Sequence, residues 1–416
     1  MKHTGLVLSV TLLALAGLAL AMRGSGTSSA QMRPPAPELH RFGLAGITSF
    51  DVYRDGGRLH LLVAGPAKAG DSPVLRHVVS EDSGKSWSAP VAVGEGQPAP
   101  EPVERGNDVQ IAAHGARLVA QWQTSGAGFA GAGPMVTAIS TDGGQSWRPG
   151  SNPAADDSRD GHAFSDLIAD PEGRFHLVWL DSRGVVTAAD GSARIAAKGA
   201  GRQGLMYARS ADGGVSWTGH RRIDGATCEC CWNSLQADAK GRLYVLYRDI
   251  EPRDMALARS ADGGQNWSRQ GRVGTFDWDF EGCPHVGGGL ALAGQDGSER
   301  LLATVWTGKP EVTGLYGLSA ETDPSGWSTP AMLAESARHS DIAGLPDGSA
   351  LAVWDVYAPD GQALQMARYL PAREAWTAPD ELPTAGLRAR HPRVVATESG
   401  EAVVVFSARR EGEGPQ

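Results

Sequence analysis

Apolar and polar residues alternate with a period of two along most of the chain, in short runs bounded by Gly, Pro, Asp and Ser. Met206-Tyr207-Ala208-Arg209-Ser210 is one such run. A period of two places one set of side chains in a core and the other in solvent, which is the signature of a half-buried strand. Pairs of these runs flank tight Asp/Gly turns. Examples are Phe164 to Trp179 around Asp170-Pro171-Glu172-Gly173, and Leu235 to Tyr247 around Asp238-Ala239-Lys240-Gly241. Others are Ile342 to Trp354 around Pro346-Asp347-Gly348, and Val394 to Phe406 around Glu398-Ser399-Gly400. Similar pairs lie near Asp51, Asp108 and Leu290. The pattern therefore predicts a series of inner hairpins, one per repeat.

A second repeated unit follows these hairpins. Ser80 to Trp87, Ser140 to Trp147, Ser210 to Trp217 and Ser260 to Trp267 all read S-x-D-x-G-x-x-W. Degenerate forms occur at Thr322-Asp323-Pro324-Ser325-Gly326-Trp327 and at Glu374-Ala375-Trp376. Asp hydrogen-bonds backbone groups of a turn, Gly supplies a positive φ, and Trp packs where the next strand begins. Two hairpins per repeat make four antiparallel strands, and radial repetition of four-stranded sheets is a β-propeller. The expected fold is all-β, with seven blades favoured and six the alternative. The last hairpin, Arg393 to Ser407, lacks a following turn motif. Glu38 to Leu44 is expected to lend it an outer strand, so that the N- and C-terminal segments close the ring.

The S-x-D-x-G-x-x-W turn resembles the Asp-box, or BNR repeat, of the sialidase-like propellers, over about Glu38 to Ala408. The resemblance implies the fold more than an activity. In that family the Asp-boxes are structural, and they occur in hydrolases, lyases, sorting receptors and binding proteins. A sialidase of the family also carries an Arg-Ile-Pro-type motif ahead of the first Asp-box. Arg41, Arg54, Arg58 and Arg76 occupy that region here, and none is followed by Ile-Pro. The family's nucleophilic Tyr follows the last arginine of its carboxylate clamp. Here Arg388, Arg390 and Arg393 all follow the last tyrosine, Tyr369. No sialidase catalytic residue is carried over, and Arg183, Arg248 and Arg393 are the residues from which a substitute clamp would be built.

The first 30 residues read as an address. Lys2 and His3 precede an apolar run from about Gly5 to Ala21, followed by small residues at Ala19-Leu20-Ala21 and Ser28-Ser29-Ala30. This is the layout of a secretory signal peptide, with an uncleaved anchor as the alternative. Residues 31–416 are then one periplasmic or secreted propeller domain, with no membrane contact beyond the N-terminal segment. The repeats override the two or three domains that 416 residues alone would suggest. With 38 basic and 47 acidic residues the chain is net acidic and has no basic stripe, so nucleic-acid binding is not expected.

Tight turns of two kinds occupy one face of such a fold, which leaves chemistry to the other. The Gly-rich segments Thr124 to Pro134 and Ser182 to Gly204 fall there, as do the crossovers between repeats. These crossovers carry His162, then Cys228, Cys230 and Cys231, then Cys283 and His285, then His339 and His391. Thiols and imidazoles gathered at a channel mouth suit copper or zinc. Four cysteines in an exported chain equally suit disulfides, with Cys230 or Cys231 joined to Cys283 across two repeats. Asp181, Arg183, Arg248, Asp249 and Arg393 are candidate ligand-binding residues, joined by Arg253, Asp254, Lys309 and Asp355. Alternating Arg and Asp would hold an anionic or polyhydroxylated ligand. The expected function is binding of a small molecule, glycan or metal at this mouth. The alternatives are a glycoside hydrolase or lyase with altered machinery, and a scaffold for a protein partner.

Overall fold

The computed structural model describes residues 6–12, 38–101, 106–126, 131–156, 161–182, 203–295, 297–358, 361–384 and 386–410. Among them no α-helix occurs; the two helical pieces are single 3-10 turns at Pro310–Val312 and Pro371–Arg373. The rest is an all-β fold of seven antiparallel sheets, each with four strands in its main path. Labelled A to D, the strands of the first sheet are Ser49–Asp55, Arg58–Pro66, Pro73–Ser80 and Val91–Val93. The third is His162–Ala169, Phe175–Asp181, Gly204–Ser210 and Thr218–Asp224, and the fourth is Ser234–Ala237, Leu243–Arg248, Met255–Ser260 and Ser268–Val273. The sixth adds a short strand, Asp380–Glu381, beside its strand C, Gly361–Leu370.

The seventh sheet departs from expectation. Its inner hairpin is Leu387–Ala396 and Ala402–Arg410, and Glu38–His40 is its outermost strand. Between them lies Leu6–Leu12, paired with Ala402–Arg410 on one side and with Glu38–His40 on the other. An apolar run, Leu-Val-Leu-Ser-Val-Thr-Leu, thus fills the backbone edge that Glu38 to Leu44 was expected to cover. Strand chemistry explains it, because the buried edge of Ala402–Arg410 must pair its N–H and C=O groups with something.

The Asp-boxes form the C–D turns and share one hydrogen-bond pattern. Ser140 Oγ accepts from the Gly144 amide and donates to Asp142, whose carboxylate accepts from the amide and hydroxyl of Ser146. Those bonds hold the Asp142 carboxyl down at about 2, the Ser146 hydroxyl contributing most. Each turn leans on the sheet before it. Gly264 has φ +87° and faces Tyr207 so closely that a Cβ would lie 1.8 Å from the phenol oxygen. Glycine is required there both for conformation and for space.

Apolar clusters lie between successive sheets. One joins the third and fourth sheets through Phe164, Val178, Leu235 and Val245, and another joins the seventh and first through Val403, Val405, Leu61 and Val63. Inner strands are also laced by side chains. Asp51 accepts from the Ile111 amide, Asp166 from Leu235 and Asp341 from Val394, each on the inner strand of the next sheet. Where the inner strands meet, a cavity of about 370 Å³ is lined by Asp51, Tyr53, Asp166, Gln236, Asp341 and Arg393.

Candidate functional site

Antiparallel register places each crossover beside the end of its sheet's B strand. His162 is opposite Asp181, the Cys228 amide donates to the Arg248 carbonyl, and the His339 amide donates to Asp355. The reactive segments of five repeats therefore share one end of the sheets, opposite the Asp-boxes.

The crossover into the fourth sheet carries three buried cysteines. Cys230 is bonded to exposed Cys283 on the crossover into the fifth sheet, joining two neighbouring repeats. Cys228 and Cys231 are free thiols, with Cys228 Sγ 3.5 Å from Cys231 Sγ and 3.8 Å from Cys230 Sγ. Arg253 donates through Nη1 to Cys228 Sγ at 3.0 Å. The hydrogen bond from Cys231, with Arg248 and Arg253 nearby, lowers the Cys228 thiol against its burial, whereas burial raises Cys231. These contacts favour negative charge on Cys228 over Cys231.

Aromatic rings link this cluster to its neighbours. Trp232, next to Cys231, donates to the Gly288 carbonyl and lies 5.7 Å from the His339 ring. Phe164 lies 5.7 Å from His285, whose imidazole sits with the Cys230 and Cys283 sulfurs. Phe164 holds φ +54°, with its amide bonded to Asn107 and its carbonyl to Asn233. His339 and His391 meet edge to face at 4.3 Å, with Asp355 against both.

The eight expected metal-site residues do not form one cluster. Close donor sets are Cys228 with Cys230 and Cys231, Cys230 with Cys283 and His285, and His339 with Asp355 and His391. His162 belongs to none of these sets. It is buried, with Nε2 3.4 Å from Asp156 and 3.7 Å from Asp181. Donor atoms close enough to share an ion come from one crossover or from two adjacent sheets, so equivalent positions in sequence do not converge on a single ion.

The candidate ligand-binding residues are mostly held by the protein itself. Arg248 is buried and donates to the carbonyls of Val286, Arg253 and Trp306. Asp249 pairs with Arg269, and Asp254 accepts from the amides of Phe276, Asp277 and Trp278. Asp181 accepts from the Trp179 indole, and Lys309 donates to the Phe276 carbonyl. Arg393 points into the central cavity, bonded to Asp51 at 2.6 Å and 3.7 Å from Asp341. Arg183 and most of the Ser182 to Gly204 segment lie outside the described residues. Asp51, Asp166 and Asp341, on the inner strands of the first, third and sixth sheets, escaped sequence reasoning because each reads locally as an ordinary polar strand residue.

Residues 100–304 match the family model described as a BNR repeat-like domain. No curated protein matches the sequence. Among solved structures, the chain is similar to a protein of unknown function from Dyadobacter fermentans at 14% identity. That match covers 87% of this chain and 95% of the other, with a TM-score of 0.47. An intramolecular trans-sialidase from Ruminococcus gnavus matches at 13% identity, over 76% and 91% of the two chains, with a TM-score of 0.48. The six-bladed fucose-binding lectin of Aleuria aurantia matches at 11% identity, over 81% and 96%, with a TM-score of 0.46.

Proposed function

From the premise that this chain is a sialidase-like BNR-repeat protein, we propose that it is an exported propeller that binds a soft metal ion, copper(I) or zinc. The thiolates of Cys228 and Cys231 are its ligands. The observation that carries this reading is the buried sulfur pair 3.5 Å apart. Two thiolates bound at about 2.3 Å to a tetrahedral ion lie about 3.8 Å from each other, so the pair needs almost no rearrangement to chelate. Arg253 stabilises the charge on Cys228. The Cys230–Cys283 bond fixes the crossover that presents them. Two protein thiolates leave coordination positions open, which suits an ion that is taken up and passed on better than a structural ion with a closed shell.

The seven sheets are read as seven blades, with the ring closed by the terminal segments. The apolar layer between the seventh and first sheets and the Arg393–Asp51 pair support this. Export is read from the N-terminal apolar run, and it agrees with the disulfide.

The test is metal analysis with intact-mass measurement of protein purified anaerobically from the exported fraction. The expected result is one equivalent of copper or zinc with one disulfide. The Cys228→Ser/Cys231→Ser variant should lose the metal and keep the disulfide. Metal-free protein in which Cys228 and Cys231 are themselves disulfide-bonded would overturn the reading.

A further inference from the structure

We infer that His339 and His391, oriented by Asp355, form a second metal site of different preference, for a borderline divalent ion such as copper(II), at the same end of the molecule. The inference stands apart from the thiolate pair, because it uses other residues on other sheets.

One buried carboxylate organises the site. Asp355 is on strand B of the sixth sheet, Ala350–Ala358. Its carboxylate accepts from the amides of both histidines at 3.0 Å and from His339 Nδ1 at 2.7 Å. The two histidines come from different places. His339 lies on the crossover into the sixth sheet, and His391 interrupts strand A of the seventh at a bulge between Arg390 and Arg393. Asp355 therefore pins two neighbouring sheets and sets both imidazoles at once. Donor atoms of all three residues lie within 4.8 Å of one another.

The tautomer follows from this contact. A carboxylate that accepts from Nδ1–H leaves Nε2 of His339 as its ligand atom, the usual second-shell arrangement at metal-bound histidine. The His391 ring stands at 83° to it, 4.3 Å away. Two imidazoles binding one ion side by side have their rings at about this separation, given metal–nitrogen bonds of about 2.0 Å. His391 holds φ +53°, a conformation unfavourable for a side chain of this kind and found where surrounding structure enforces it. Both imidazoles are half-buried, so solvent reaches them, while Asp355 is covered. The Trp232 indole walls one side at 5.7 Å from His339.

Ligand chemistry separates the two sites. Imidazole nitrogens with water suit copper(II), nickel(II) or zinc, whereas paired thiolates favour copper(I). The same end of the molecule would then hold a nitrogen site and a sulfur site, with Trp232, next to Cys231, against His339.

The test uses the full chain carrying Cys228→Ser/Cys231→Ser, which removes the free thiols that would reduce copper(II). His3→Ala is added, because a free amino terminus with histidine in third place chelates copper(II) by itself. Added copper(II) is followed by electron paramagnetic resonance. The expected spectrum is tetragonal with nitrogen hyperfine structure. His391→Asn, chosen because Asn tolerates positive φ, and separately His339→Gln should each weaken binding at least tenfold. Asp355→Asn should weaken it by about 10- to 100-fold. An aquo-copper spectrum in the parent, or an unchanged spectrum in both histidine variants, overturns the inference. Loss of the thiolate reading leaves this spectrum untouched, so the two fail separately.

Discussion

Arg393 and Asp51 are 342 positions apart in the chain, yet the guanidinium and carboxylate meet at 2.6 Å in the central cavity. Arg393 also faces other acids there: Asp341 lies 3.7 Å from it, and Asp166 and Asp108 raise its affinity for a proton as well. The pair joins the inner strand of the seventh sheet to that of the first. Removing the guanidinium leaves several carboxylates facing one another with little water to screen them. Arg393→Leu is expected to destabilise the protein by about 3 kcal/mol, and Arg393→Lys by less. Chemical denaturation midpoints measure this; an unchanged midpoint for Arg393→Leu would mean the seventh and first sheets are held together without the pair.

Acid stability has two opposed contributions. His60 and His77 share a hydrogen bond and are buried. Burial lowers His60 to about 4, helped by Arg58, and lowers His77 to about 3, helped by the charge of His60. A neutral buried histidine makes the unfolded chain the better proton binder, so stability falls as pH drops below about 6.5. Burial raises Asp166 to about 6, so the folded state binds its proton more tightly and gains stability between about pH 6 and 4. Each group has a limiting slope of about 1.4 kcal/mol per pH unit. Burial lowers His176 and raises Asp51 and Asp249 in the same opposed way, while hydrogen bonds hold Asp170 and Asp355 down against their burial; these two carboxyls tip the balance, and the thermal midpoint should fall with acid. Asp166→Asn should steepen the fall between pH 6 and 4. A shallower dependence in that variant would contradict the assignment.

The Asp-box turns differ in what they tolerate. Gly264→Ala meets both a positive φ and the Tyr207 hydroxyl, and should cost about 2–4 kcal/mol. Gly326 sits in a degenerate turn, and a Cβ there meets nothing within 4 Å. Gly326→Ala is expected within about 0.5 kcal/mol of the parent. Parallel melting curves decide it, and equal effects at both sites would count against a docking role for the turns.

The proposed cleavage of the N-terminal segment bears directly on the seventh sheet. Cleavage after Ala21 or Ala30 removes Leu6–Leu12, the neighbour of Ala402–Arg410. On the proposed reading of the N-terminal segment as a signal peptide, sequencing of the purified protein is expected to begin at Met22 or Gln31. Hydrogen exchange at Val403 to Ser407 should then be slow only if Glu38–His40 moves in to pair with that edge. A mature chain that still begins at Met1 would instead fit the strand seen here.

Local chemistry made much of this protein legible in its sequence. The period-two runs and the four Ser/Asp/Gly/Trp turns specified four-stranded antiparallel sheets, because a strand's alternation and a turn's hydrogen bonds are decided within about ten residues. They also placed the Cys and His crossovers on the face opposite the turns, and the Cys230–Cys283 pairing was among the bonds expected. Tertiary structure alone decided which groups meet. Arg248 read as a ligand-binding residue until its guanidinium was seen bonded to three carbonyls of other segments. One expected metal cluster became separate sulfur and imidazole groups, with His162 beside Asp156 and Asp181. The pairing of Arg393 with Asp51 likewise needed the two chain ends to come together. Such contacts depend on the angles between sheets and on the path of each crossover, and no local pattern of residues encodes those.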